Sequence, residues 1–294
     1  MAVPAKPVQS VEKRVAVLGA GIIGAPVARN LRSGFTVSVW NRTRATADEL
    51  ARCGGIEVFD KAADAVAGAD VVVTVLKDGP AVLEVMEAAV SGLAKGTVWV
   101  QLSTVGVTAV EELAWFARQH GLVFYDAPVQ GTKQPAENGQ LVILASGPQD
   151  GRVDAQAVFD AIGSKTVWVS EEAGAGSRLK VALNSLVFAL THGAAESLSL
   201  AKALGVDPQL VVDVVTGSPL DSKFFQGKSA AILAGDYTTA FSVANSVKDA
   251  HLLVEAAVRA GVRVDVTTAS LQRFQRAFEL GHGSKDMAAS YLAG

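Results

Sequence analysis

A chain of 294 residues, half of them hydrophobic, is long enough to bury one large core or two medium ones. Its net charge of −3 implies no basic face and argues against a nucleic-acid partner. The single cysteine, Cys53, excludes an internal disulfide and a cysteine metal cluster, so the expected compartment is the cytoplasm.

Residues 1–12 carry scattered Pro and Lys without the apolar centre of a secretory signal, and read as a disordered lead-in. The apolar run Val15-Ala16-Val17-Leu18 then reads as a strand, and Gly19-Ala20-Gly21-Ile22-Ile23-Gly24 as the turn that leads into a helix. A second strand follows, Thr36-Val37-Ser38-Val39-Trp40, ending in Asn41-Arg42-Thr43. Strand, GxGxxG turn, helix and a polar strand end form the context of a dinucleotide-binding unit. Gly19 permits the tight turn, Gly21 lets backbone approach a pyrophosphate, and Gly24 lets the helix pack against the strand. The helix N-terminus offers free N–H groups and a positive dipole end to the phosphates.

The end of the second strand selects the cofactor. An acidic residue there binds the 2′-hydroxyl of NAD, whereas Arg accommodates the 2′-phosphate of NADP. Asn41 is uncharged, Arg42 supplies a planar fork matched to phosphate and Thr43 a hydroxyl, so NADP(H) is expected.

Short β-branched runs continue at 71–75, 97–100, 122–125, 141–144 and 166–169. Helical patterns lie between them at Ala62–Val66, Gly79–Ala89, 108–120 and 150–161. Strands alternating with helices, the strands being nearly continuous in apolar residues, predict a Rossmann-type doubly wound parallel sheet. After about Ser170 the strand signal stops. Helices are expected at 179–204, Pro208–Val215, 224–233, Val243–Ala260 and 266–280, punctuated by Gly205, Gly217-Ser218-Pro219, Gly235 and Gly261. The expected division is therefore a nucleotide-binding domain over 13–170 and an all-α substrate and dimerisation domain over 171–294. The apolar stretch 181–200 contains Asn184, His192 and Glu196, which makes it a buried helix rather than a membrane span.

A nicotinamide that reduces a carbonyl needs a positioned acid, and the candidate is Lys180 in the α-helical half, although a lysine read alone there more often snorkels past a helix end. Lys180 sits near the start of a long apolar helix, where burial would bring its pKa toward working pH. Asn184, four residues on, shares its face and is placed to orient the ammonium or to bond a substrate hydroxyl. Leu76 and Ser103-Thr104 follow strands at the carboxyl ends that form the ligand crevice, so Leu76 and Thr104 are expected beside the cofactor, Thr104 also beside the substrate. His120, His192, His251 and His282 have no metal-ligand spacing, and His192 reads as a satisfied core residue. Trp40, Trp99, Trp115 and Trp168 read as core or edge packing.

Four ordered motifs resemble the β-hydroxyacid dehydrogenase family, which includes 3-hydroxyisobutyrate dehydrogenases and glyoxylate/succinic semialdehyde reductases. They are the stretch from Val17 to Thr43, Asp126-Ala127-Pro128-Val129-Gln130-Gly131-Thr132, Gly174 through Gly176 and Lys180 to Asn184, and Phe241 with Lys248-Asp249. The stretch from Lys133 to Leu144 looks most like the semialdehyde and glyoxylate reductase branch. The resemblance implies that Lys180 is the proton donor and that Lys248 approaches the nicotinamide. It also places Gln130, Gly131, Thr132, Phe241 and Asp249 around the substrate. The family usually has Ser where this chain has Gln130, and commonly Gly at Thr132, so the pocket is smaller and differently shaped. The implied activity is NADPH-dependent reduction of a small aldehyde or oxo acid by a homodimer or higher oligomer. An imine reductase shares this build, but generally replaces the lysine. A non-catalytic nucleotide-binding scaffold would be marked by loss of the lysine, and Lys180 is present.

Overall fold

The computed structural model describes residues 13–52 and 54–294; the expectations for the lead-in and for Cys53 lie outside them. Strand β1 (Arg14–Leu18), helix α1 (Gly24–Leu31) and strand β2 (Thr36–Trp40) form the expected nucleotide-binding unit. α2 (Arg44–Ala51) and β3 (Ile56–Phe59) extend it. Neither was legible, because α2 is polar on most faces and β3 breaks its apolar run with the exposed Glu57. α3 (Ala62–Val66), β4 (Val71–Thr74), α4 (Gly79–Ala89), β5 (Val98–Gln101), α5 (Gly106–His120) and β6 (Val123–Asp126) continue the alternation. Local chemistry starts α4: the Asp78 carboxylate accepts from the Ala81 N–H, and Pro80 lies in the first turn.

Strands β1 to β6 lie parallel in the order β3-β2-β1-β4-β5-β6. The sheet is not parallel throughout. β7 (Val129–Gln130) and β8 (Leu141–Ser146), with α6 (Lys133–Glu137) between them, form an antiparallel excursion in which β8 runs against both β6 and β7. A connection of about ten residues returns the chain as a hairpin, since a parallel crossover needs a dozen or more. α7 (Arg152–Ile162) and β9 (Gly163–Ser170), parallel to β8, complete the sheet.

Side-chain alternation sends the strands to two cores. Val15 and Val17 join Val37, Val39, Val71, Val73 and Ile143 on one face, beneath α1 and α7. Ala16, Leu18, Val72 and Trp99 face α3, α4 and α5. Trp99 is fully buried and meets Phe116 and Phe124 edge-on, while Trp115 lies 58% exposed on α5, contrary to the packing role expected for it. The buried face of α5 is made by Val110, Leu113, Phe116 and Ala117, and Trp115 falls off it.

Helix α8 (Ala175–Ala203) follows the sheet, then α9 (Pro208–Val215), α10 (Lys223–Ala234), α11 (Val243–Ala260) and α12 (Asp265–Ala277). Past α12 the chain turns through Phe278–His282 and ends in a 3-10 segment, Met287–Ala293. Side-chain caps set several of these starts: Asp207 accepts from Gln209, Ser222 from Phe225 and Ser242 from Asn245. α8 is buried along one side and exposed along the other. Its buried side carries Lys180, Asn184, Thr191 and His192 among Phe188, Ala195 and Leu198, while Leu186, Leu190 and Leu200 are exposed.

Candidate active site

The glycine loop is built by close approach. Gly19 has φ +109°, and a Cβ there would collide with the Val75 carbonyl beyond β4. A Cβ at Gly24 would strike the Gly19 carbonyl, so α1 can begin tight against the turn only without a side chain. Gly21 has nothing within 4 Å of its Cβ position, which leaves an open approach to the backbone ahead of α1. This cradle fits a pyrophosphate. Asn41 ties the cradle together: its Oδ1 accepts from Ala20 N at 2.9 Å and its Nδ2 donates to Thr43 O at 2.9 Å. Both ends of that amide are thus engaged by the chain itself, so Asn41 shapes the loop, and its second N–H remains for a ligand. Arg44 is held by Asp48 and Asp60, whereas Arg42 is exposed and has no partner among the described residues.

A cavity of about 400 Å³ opens at the carboxyl ends of the strands and continues under the helical half. Ile22, Ile23, Leu76 and Thr104 line its nucleotide side, Gln130, Gly131 and Thr132 one wall, and Lys180, Asn184, Phe241, Lys248 and Asp249 the helical side. The sequence-derived residues outside it, Gly19, Gly21, Gly24, Asn41, Arg42 and Thr43, lie in the loop and at the β2 end. Phe188, Phe224, Asn245 and Met287 also line the cavity and were missed. The signal for Phe188 was available, since it continues the Lys180–Asn184 face by four residues. Phe224, Asn245 and Met287 come from separate segments that only the packing of α8, α10 and α11 brings together.

Lys180 owes its place to the way α8 is docked. Asp126, at the end of β6, accepts from Ser177 N and from Ser177 Oγ, both at 2.7 Å, and Gly176 N donates to Ser146 Oγ at 3.0 Å. Burial drives the Asp126 carboxyl up to about 6, against the pull of these donors. Gly176 makes this docking possible, because a Cβ there would overlap the Leu144 carbonyl and lie 2.7 Å from the Asp126 carbonyl. One turn later Lys180 is 9% exposed, and burial lowers its ammonium to about 8, opposed by Asp249 and assisted by Lys248.

Nζ of Lys180 donates to Gln130 Oε1 at 2.9 Å. Asn184 does not orient that ammonium. Its Nδ2 donates to Asp249 Oδ2 at 2.9 Å, and no bond joins its Oδ1 to the ammonium. Lys248 lies 2.7 Å from Asp249 Oδ1 in an ion pair poorly angled for a hydrogen bond, and its own bond runs to Thr104 O at 2.6 Å. That bond links α11 to the end of β5. Leu76 N is held by Ser103 Oγ at 2.9 Å.

His192 is buried as expected, but it is not satisfied: neither ring nitrogen has a partner among the described residues. Burial and the charges of Arg273 and Arg276 push its pKa down to about 3, so the ring stays neutral against Phe274. No cluster of metal-ligating side chains occurs among the described residues, and no helix among them is long and apolar enough to cross a membrane.

Residues 14–170 match the NAD binding domain of 6-phosphogluconate dehydrogenase, and residues 174–293 match the NAD-binding region of NADP-dependent 3-hydroxyisobutyrate dehydrogenase. The chain is 28% identical to glyoxylate/succinic semialdehyde reductase 1 of Arabidopsis thaliana, over 94% of its own length and 96% of the relative's. It is 30% identical to L-threonate dehydrogenase of Cupriavidus necator over 94% of each chain. Among solved structures, 3-hydroxyisobutyrate dehydrogenase from Salmonella typhimurium superposes with a TM-score of 0.89 at 25% identity, covering 96% of this chain and all of that one. A glycine cradle for a pyridine nucleotide, opening onto a cavity with a buried lysine, agrees with these matches: the chain belongs to the β-hydroxyacid dehydrogenase family of pyridine-nucleotide-dependent oxidoreductases.

Proposed function

We propose that the chain is an NADPH-dependent reductase of a small aldehyde or oxo acid, of the semialdehyde or glyoxylate type. The observation that carries this reading is Lys180: a buried ammonium near pKa 8, in the cavity that also meets the glycine loop. The nicotinamide, when bound, supplies the hydride. The chain supplies everything else. Backbone N–H groups at Gly21 and the start of α1 hold the pyrophosphate, and Arg42 meets the 2′-phosphate. Lys180 Nζ gives its proton to the carbonyl oxygen as charge builds there, and Phe188, Phe241 and Met287 keep bulk water from the reacting carbon. The Asn184–Asp249–Lys248 chain fixes the helical wall and is neutral in sum, so Lys180 leaves a positive balance facing an anionic substrate.

The direct test is NADPH oxidation with glyoxylate, succinic semialdehyde, methylmalonate semialdehyde and a cyclic imine. Turnover of the oxygen carbonyls is expected. Turnover of the imine alone would overturn the reading.

Cofactor choice is tested separately. Arg42→Ala is expected to weaken NADPH binding by about one to two decades, the worth of a charge-assisted pair at about 1.5–3 kcal/mol, and to leave NADH nearly unchanged. Isothermal titration of both cofactors reads this. Equal affinities in the parent protein would refute NADP preference.

The reading extends to assembly. Leu186 is 57% exposed and Leu200 60% on the outer face of α8, and Leu204 beyond its end is 71% exposed. One such leucine is ordinary, but a stripe along a single helix calls for a cover, and a second copy of the chain supplies one with two-fold symmetry. Light scattering is expected to give a multiple of 30.3 kDa, and Leu186→Glu with Leu200→Glu to return the monomer. A fully active parent monomer at micromolar concentration would rule the dimer out.

A further inference from the structure

Gln130 is the last residue of β7, and its pairing with Val142 on β8 places it on the cavity wall. Among the described residues, it is the one side chain bonded directly to the Lys180 ammonium, at 2.9 Å. Chemistry decides which way its amide faces. An ammonium has three donors and no acceptor, so the amide must present its oxygen to Nζ. The amide nitrogen then bonds neither Lys180 nor any other described residue. The carboxylate nearest in charge to Lys180, Asp249, is already engaged by Asn184 and Lys248.

We propose that Gln130 is a positioning and specificity residue: its carbonyl aims the Lys180 ammonium without adding charge, and its amide N–H groups offer a second donor beside it. Oxygen and nitrogen share one carbon in an amide, so the free donor stands next to the proton donor. Two neighbouring donors match two neighbouring acceptors. A short 2-oxo acid, with its carboxylate adjacent to the carbonyl, presents that pair, whereas a 4-oxo acid holds its carboxylate two methylenes away. A neutral partner is also the right one for an acid that must release its proton. A carboxylate at this position would hold the proton on, and an apolar side chain would let it go too early. The specificity half rests on the reductase reading above; the aiming of Lys180 does not.

The test uses Gln130→Glu and Gln130→Met in the full chain. Lys180 is titrated without any turnover, by competitive labelling with acetic anhydride from pH 6 to 11 and mass spectrometry of the peptides. Glu is expected to raise the Lys180 titration by about 1–3 pH units, the effect of an opposite charge at this range, and Met to lower it. Loss of fold would instead raise the labelling of the part-buried Lys228 and Lys248 along with that of Lys180. Titrations that coincide in all three proteins, or that move the same way in both variants, overturn the proposal. In the kinetic arm, Gln130→Met is expected to raise KM for glyoxylate by tenfold or more, the worth of a bond to a charged group, with a much smaller change for succinic semialdehyde. Equal losses on the two compounds overturn the specificity half. A parent that labels as expected but reduces neither compound sustains the Gln130–Lys180 bond and overturns the reductase reading instead.

Discussion

Lys180→Ala or Lys180→Met is expected to lower kcat by about 10²–10⁴-fold, the usual worth of a positioned general acid. That loss corresponds to about 2.7–5.4 kcal/mol of transition-state stabilisation. NADPH affinity should stay within a small factor of the parent, because the glycine cradle and Arg42 lie outside the catalytic chamber. The pH profile gives the same residue a second signature. In reduction Lys180 acts protonated, so kcat/KM should be level at low pH and fall as pH rises through about 8, where burial has placed the ammonium. Oxidation of the alcohol needs the free amine and should show the opposite limb. The profile should flatten in the Lys180 variants. Steady-state kinetics from pH 6 to 10, with a compound the parent turns over, reads all three effects. A Lys180→Ala protein with parental kcat and an unchanged falling limb would move the proton to another group or to water.

Gly176→Ala is expected to damage stability and catalysis together, without touching any ligand. Its Cβ would overlap the Leu144 carbonyl and crowd the Asp126 carbonyl, two backbone atoms held in strands β8 and β6. Neither can rotate aside as a side chain could, so the first turn of α8 must lift. Lifting breaks the bonds from Ser177 to Asp126 and from Gly176 to Ser146, and leaves a fully buried carboxyl short of donors. Overpacking of this kind costs about 1–3 kcal/mol, and the lost bonds add to it. The denaturant midpoint should fall accordingly. Because Lys180 lies one turn further along the same helix, kcat should drop even where the protein remains folded. Gly227→Ala, in the middle of α10, is the control: its Cβ position has nothing within 4 Å, and the substitution should be neutral or slightly stabilising. Equal midpoints for Gly176→Ala and the parent would show that the sheet yields, and that the tight docking of α8 is not what seats the lysine.

The nucleotide-binding half was readable because its signals are local. Tight turns demand glycine, buried parallel strands demand continuous β-branched residues, and both requirements act within a few residues of chain. Thus β2, α3, α4, α9 and α11 have the ends expected from their runs and breakers, and the helical character of everything after Ser170 followed from the loss of period-two patterning. Lys180 was singled out only with its neighbours: read alone, a lysine near a helix end is better explained by its stem packing past that end, and Gly174 and Gly176 before it and Asn184 after it are what pointed to chemistry.

The partners of these residues were not readable. Strand β7 is two residues long, and its antiparallel pairing with β8 depends on where the rest of the sheet ends. Gln130 faces Lys180 across fifty residues of chain, and Asn184 turned out to serve Asp249, sixty-five residues away, rather than its own helix neighbour. His192 and Asp126 show the same limit, since burial, not residue type, sets one near 3 and the other near 6. Composition and spacing determine which chemical groups a chain carries and which local conformations it can adopt. Which donor meets which acceptor, and at what proton affinity, is decided only when distant segments exclude water from between them, because both hydrogen-bond choice and desolvation depend on distances that sequence separation does not encode.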